Sequence, residues 1–250
     1  MTQDSAASQP VVAARLEKKL SRAKGENRIL TFLRDYLVYW PTTYFLRALG
    51  KVFNRAEVYG LEKLPKKGPY VAVVNHQSHW DSVGSSFAVR TRVHVMVKHS
   101  LVKIPVFGWF LRAIYVFPVK RGRLDRKAFE HAVELLKKGD VLFIAPEGTR
   151  RKDRNSPPPR PRNGFVLFAQ LAKCPVVPIA IWGTDRVLPP HSFLPRPRKI
   201  RVMIGDPIQL PEVEPGAKNK DELQRQAEMV MGKVYEMWEK LDQMGRKKRG

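Results

Sequence analysis

From residue 55 onward the chain alternates short β-branched runs with stretches of helical periodicity, and this alternation restricts the fold more than any other feature of the sequence. Strands separated by helices belong in a largely parallel sheet whose connections cross its faces. The runs Tyr70 to Val74, Val93 to Val97, Ile114 to Val119, Val141 to Ala145, Val176 to Ile181 and Ile200 to Ile204 predict strands. Between them Phe129, Ala132, Val133 and Leu136 make one helical face, opened by Asp125 as a cap and closed by Gly139. Phe165, Phe168, Ala169 and Ala172 make a second, and Leu223, Ala227, Val230, Val234, Trp238 and Leu241 a third, on a helix from about Lys220 to Leu241. Pro178 donates no ladder hydrogen bond, so its strand needs an edge or a bulge there. The expected fold is α/β, a single domain over 55–243 with a mostly parallel central sheet flanked by helices. With 43% apolar residues in 250, one core of that size can be filled.

Upstream, residues 29–54 predict an amphipathic two-helix motif. Ile29, Leu30, Leu33, Tyr36, Leu37 and Trp40 share one helical face, Phe45, Leu49, Val52 and Phe53 share another, and Pro41 separates the two. Arg34, Asp35, Arg47 and Lys51 interrupt the stretch before it reaches the length of a membrane span. Its aromatic and basic residues suit a helix pair lying in a membrane interface, and equally a pair packed on its own domain. Residues 1–28 read as a solvated arm without the order of a secretory signal, and 244–250 as a basic tail. The lone Cys174 excludes an internal disulfide and any Cys-based zinc or redox pair.

Charge narrows the partners. Lys plus Arg number 46 against 23 Asp plus Glu, a net of +23, so the surface attracts anions such as nucleic acid, acidic lipid, phosphorylated molecules or an acidic carrier. No nucleic-acid-binding motif accompanies the charge, although the Arg-rich stretches 150–162 and 196–201 would suit phosphate backbones.

Titratable residues concentrate where the first predicted strand ends, at Asn75-His76-Gln77-Ser78-His79-Trp80-Asp81. The C-terminal edge of strands is where open α/β sheets bind ligands. Across a turn entering a helix, Asp81 can accept from one nitrogen of His76 and leave the other as a base. No protein nucleophile accompanies the pair, which suits activation of a hydroxyl brought by the substrate, as in direct acyl transfer to an alcohol. The same residues also read as a turn histidine with a helix-capping aspartate, or, with His79, as ligands of a hydrolytic zinc. A second cluster, Pro146-Glu147-Gly148-Thr149-Arg150, follows the strand at 141–145 and opens on the same edge. Gly148 allows a tight turn, Arg150 offers two parallel hydrogen bonds to a phosphate, and Glu147 is placed to hold Arg150 or touch a substrate hydroxyl. Lys98 and Arg121 emerge at two further strand ends.

Together these motifs resemble the 1-acyl-glycerol-3-phosphate acyltransferase family of glycerolipid acyltransferases. His76 through Asp81 resembles its His-four-residues-Asp motif, Val116 to Arg121 its second motif, Pro146 to Arg150 its third and Val176 to Ile179 its fourth, in the family's order. The resemblance implies transfer of a fatty acyl group from acyl-CoA or acyl-carrier protein to the sn-2 hydroxyl of lysophosphatidate, giving phosphatidate for phospholipid synthesis, with no metal and no cofactor beyond that co-substrate. It implies His76 as general base and Asp81 as its partner. Lys98, Arg121, Glu147, Gly148, Thr149 and Arg150 then bind the glycerophosphate, and Val177 and Pro178 lie on the acyl-donor side. It also implies peripheral or monotopic attachment at the cytoplasmic side of an anionic membrane through residues 29–54. His99 and the Pro/Arg-rich segment Arg151 to Arg162 depart from the family pattern. Glycerol-3-phosphate or another alcohol stands as the alternative acceptor, with metallohydrolase and nucleic-acid binding more remote.

Overall fold

The computed structural model describes residues 28–120, 125–151, 156–189, 192–212 and 219–247. Its strands are β1 (Glu57–Tyr59), β2 (Tyr70–Val74), β3 (Val93–Lys98), β4 (Val116–Val119), β5 (Val141–Ile144), β6 (Val176–Trp182) and β7 (Arg201–Ile204). They form one sheet in the order β1-β7-β6-β2-β5-β3-β4. Every pairing is parallel except β6 with β7. The helices are α1 (Arg28–Arg34), α2 (Trp40–Val52), α3 (Asp81–Ser86), α4 (Phe107–Ala113), α5 (Arg126–Lys137), α6 (Gly164–Leu171), α7 (Thr184–Val187) and α8 (Asn219–Lys247).

The central strands β2 and β6 are buried along their whole length, as continuous Val, Ile and Ala runs require when both faces are covered. Each fully buried Val or Ile stabilises the fold by roughly 1.5–3 kcal/mol, so these two strands anchor it. On one face α5, α6 and α8 pack over Val71, Val73, Leu142 and Val176. On the other, α2 and α3 pack over Ala72, Val74, Ile179 and Ile181. Asp125 caps α5 by accepting from the Ala128 N–H, and Gly139 follows the helix at φ 89°, as the sequence predicts.

Several expectations are corrected. Strand β1 is absent from the prediction because it is three residues long and only half-buried. The strand predicted from Ile114 begins at Val116, since Tyr115 takes a positive φ of 62°. Pro41 does not break the N-terminal segment. A π turn at Asp35–Tyr39 carries the helix into α2, with the Trp40 N–H bonded to the Asp35 carbonyl and Pro41 in the first turn, where its missing donor is tolerated. The basic tail expected from residue 244 begins inside α8, which runs to Lys247 with Met244 against the core. Residues 1–27 of the expected arm and 248–250 of the tail lie outside the described residues.

Pro178 sits in β6, an interior strand, beside a bulge. Val176 bridges Ile208 and Ile179 pairs with Ile204, so two residues of β6 face three of the opposing chain. The Pro178 carbonyl accepts from Gly205, and its donorless nitrogen falls where the ladder is interrupted. A Cβ on Gly205 would lie 2.9 Å from Pro178 Cγ, so glycine permits the close approach.

Candidate active site

The loop leaving β2 is stitched to its neighbours residue by residue. The Asn75 amide donates to the Ile181 carbonyl at 2.8 Å and its oxygen accepts from the Ile181 N–H at 2.8 Å, tying the loop to β6. His76 Nδ1 lies 2.8 Å from Asp81 Oδ2. The same oxygen accepts from the Gln77 and Ser78 N–H groups at 2.8 and 3.0 Å, and Oδ1 accepts from the Thr184 hydroxyl. Asp81 opens α3 and is 6% exposed, and its carboxylate both holds the turn and meets the imidazole, contacts that the sequence offered as alternatives. A carboxylate surrounded by donors calls for the proton on Nδ1. Nε2 is then the basic nitrogen, and among the described residues no hydrogen bond engages it.

Strand β5 lies beside β2 and delivers the second cluster next to this turn. The Arg151 N–H donates to the His76 carbonyl at 2.9 Å. Glu147, 5% exposed, accepts through Oε1 from the His76 N–H at 3.2 Å and from the Tyr235 hydroxyl at 3.0 Å, while Oε2 is buried without a partner. Burial pushes its pKa up from 4.5 to about 7. Glu147 thus braces the His76 backbone, and among the described residues its hydrogen bonds go to His76 and Tyr235 and not to Arg150. Gly148 adopts φ 67°, and a Cβ there would lie 2.9 Å from Arg162 Nε, so the Pro/Arg-rich segment brings a further cation to this turn. Thr149 and Arg150 are exposed beside it. Burial, followed by the Arg150 charge, lowers the pKa of His79, which puts that guanidinium within electrostatic reach of the turn.

The remaining site residues divide. Lys98 ends β3 on the same edge, two strands and roughly 10 Å across the sheet from β2, and is exposed. Arg121 lies outside the described residues. Val177 and Pro178 are buried within β6, opposite Ala72 and Val73, where they pack the core beneath the turn. Among the described residues no three His, Cys, Asp or Glu side chains gather as a metal site.

Sequence reasoning missed Thr184, Arg162, Gln77, Tyr235 and Trp238. The Trp238 indole donates to Gln77 Oε1 at 3.1 Å. The available signal was a tyrosine directly beside the apolar stripe of the last helix, at Val234 and Trp238.

Fold and site together define an α/β protein with a His-Asp pair set at the C-terminal edge of a mostly parallel sheet. Residues 55–182 match the model of the Acyltransferase family, and the chain belongs to that family. It is 29% identical over 200 residues to the 1-acyl-sn-glycerol-3-phosphate acyltransferase of Bacillus subtilis, a match covering 80% of this chain and 96% of that one. It is 35% identical over 165 residues to the chloroplastic 1-acyl-sn-glycerol-3-phosphate acyltransferase BAT2 of Brassica napus, covering 62% of this chain and 46%, under half, of the plant protein. In fold it is similar to the crystal structure of the 1-acyl-sn-glycerophosphate acyltransferase PlsC from Thermotoga maritima, with a TM-score of 0.64, 24% identity, and 92% and 88% of the two chains covered.

Proposed function

We propose that the protein transfers a fatty acyl group from a thioester, acyl-CoA or acyl-carrier protein, to the sn-2 hydroxyl of lysophosphatidate, forming phosphatidate. The observation that carries this reading is the His76–Asp81 pair, whose 2.8 Å hydrogen bond fixes the imidazole with Nε2 as its base. In this mechanism Nε2 takes the hydroxyl proton as the oxygen attacks the thioester carbonyl. The tetrahedral oxyanion then collapses, the C–S bond breaks, and the thiolate leaves with the proton from the imidazolium. Asp81 stabilises that imidazolium without accepting the proton itself. Arg150 and Lys98, exposed at the same edge, hold the acceptor's phosphate, with Arg121 assigned there by its motif. Glu147, Gly148, Val177 and Pro178 shape the turn from beneath. The names of the relatives support lysophosphatidate as the acceptor.

The same reading places the protein at the cytoplasmic face of an anionic membrane. Along α1, the π turn and α2, Tyr39, Thr43 and Gly50 are buried against the domain, whereas Ile29, Leu30, Phe32, Tyr36, Leu37, Tyr44 and Phe45 are exposed. A Cβ on Gly50 would lie 2.7 Å from the Phe87 ring, so one face of the helix is committed to α3 and the other is left to a partner. Ile104, Val106, Phe107 and Trp109, at and before α4, add exposed apolar surface. Helix α4 packs through Leu111 into a cluster that takes in Val95 and Ile114, which also pack in the core on the sheet face that carries α2. An apolar face this large on a chain of net charge +23 suits the interface of acidic lipid. No described helix is long and apolar enough to cross a membrane.

The test is thioester consumption by the purified protein with lysophosphatidate, glycerol-3-phosphate and a neutral monoacylglycerol offered separately, beside His76→Ala. Turnover with lysophosphatidate that vanishes in a folded His76→Ala is the expected result. Turnover with another acceptor alone would move the substrate and keep the base, and activity surviving in His76→Ala would overturn the base. Arg150→Ala is expected to raise the acceptor KM with kcat held.

A further inference from the structure

The family match ends at residue 182, yet the catalytic turn is held from a helix beyond it. We propose that Tyr235 on α8 is a positioning residue for the His76 base, acting through the carboxylate of Glu147; the inference rests on the acyl-transfer reading of His76.

Three observations meet here. First, one oxygen of Glu147 accepts two donors, the His76 N–H at 3.2 Å and the Tyr235 hydroxyl at 3.0 Å, while the other oxygen is buried with none. A buried carboxylate satisfied on one side only is oriented by the donors it has, because any rotation that abandons them leaves more polar surface unpaired. Second, Trp238, three residues on and on the same helical face, donates to Gln77 Oε1 at 3.1 Å, and the Gln77 N–H in turn donates to Asp81. Helix α8 therefore grips the turn on both sides of the peptide linking His76 to Gln77, through Glu147 on one side and directly on the other. Third, the His76 carbonyl is fixed by the Arg151 N–H, so the Glu147 contact at the His76 N–H is what completes the fixing of that residue's main chain. Without the tyrosine hydroxyl, Glu147 is held by the His76 N–H alone, and a carboxylate pinned at one point can shift together with that N–H instead of fixing it. A general base displaced by a fraction of an ångström loses rate steeply while substrate binding is little affected.

The experiment is steady-state kinetics of the full chain with acyl-CoA and lysophosphatidate for Tyr235→Phe, Glu147→Ala and the double variant, with His76→Ala as reference and thermal midpoints measured in parallel. The isosteric Tyr235→Phe is expected to lower kcat about tenfold at unchanged acceptor KM. In the Glu147→Ala background the same change should add almost nothing, because the path to His76 is already cut. An unchanged kcat in Tyr235→Phe, with or without a lower midpoint, would overturn the proposal, leaving a packing role. So would a raised acceptor KM at intact kcat, or a tenfold loss that persists without Glu147. If Glu147→Ala does not fold, the split between kcat and KM in Tyr235→Phe decides alone. Turnover retained in His76→Ala would refute the base assignment, a result no behaviour of Tyr235→Phe imitates.

Discussion

At the scale of single residues, the proposed mechanism gives Asp81 two jobs that a substitution can separate. Its carboxylate receives the His76 ring, two backbone N–H groups and the Thr184 hydroxyl. Asp81→Asn keeps an acceptor for the turn but removes the charge that stabilises an imidazolium. It is expected to lower kcat by about 10²- to 10⁴-fold with a native circular dichroism spectrum. Glu147 gives a pH signature of opposite character. Burial raises its pKa from 4.5 to about 7, so the folded chain holds this proton more tightly than the unfolded one. Its contribution to stability is complete below about pH 4.5 and is lost as pH rises through about 7. Urea denaturation across that window should show the decline, and Glu147→Gln should flatten it. His76 and Asp81 were legible in the sequence because both lie in one short segment after a β-branched run. Tyr235 and Trp238 were not, since their partners are 88 and 161 residues away and the contacts depend on how the last helix is rotated on the sheet.

At the scale of elements, β-branched runs and helical stripes located six strands and the longer helices, because buried strands and amphipathic helices write their environment into their periodicity. Short pieces escaped: β1 with three residues, α7 with four and α4 with seven are held by tertiary contacts with too few positions to carry a period. The bulge opposite Pro178 was legible as a requirement of the proline, but its place between β6 and β7 came only with the topology. The outward face of α1 and α2 belongs to this scale as well. Replacing Phe32, Tyr36 and Phe45 together by serine touches only exposed side chains. It should release the protein from anionic vesicles in sedimentation assays while leaving the thermal midpoint within a few degrees. Undiminished sedimentation would reject the interfacial role of this helix.

For the whole molecule, the net charge of +23 makes the proposed membrane association a salt-dependent property. Binding to acidic vesicles should weaken as ionic strength shortens the screening length, whereas retention on neutral vesicles, resting on apolar contact, should change little. The two outer strands also bear on how the molecule behaves in company. On β4 the carbonyls of Tyr115 and Val119 face β3, so by alternation Pro118 turns its nitrogen toward the open side. At the opposite margin β1 offers three residues and begins with the charged Glu57. Neither border presents an unbroken row of amide donors to a neighbouring copy. In the proposed membrane-bound state, molecules concentrated in two dimensions collide far more often than in bulk water, and a short margin and a proline-interrupted one disfavour strand addition between copies, so crowding on the surface need not become fibre growth.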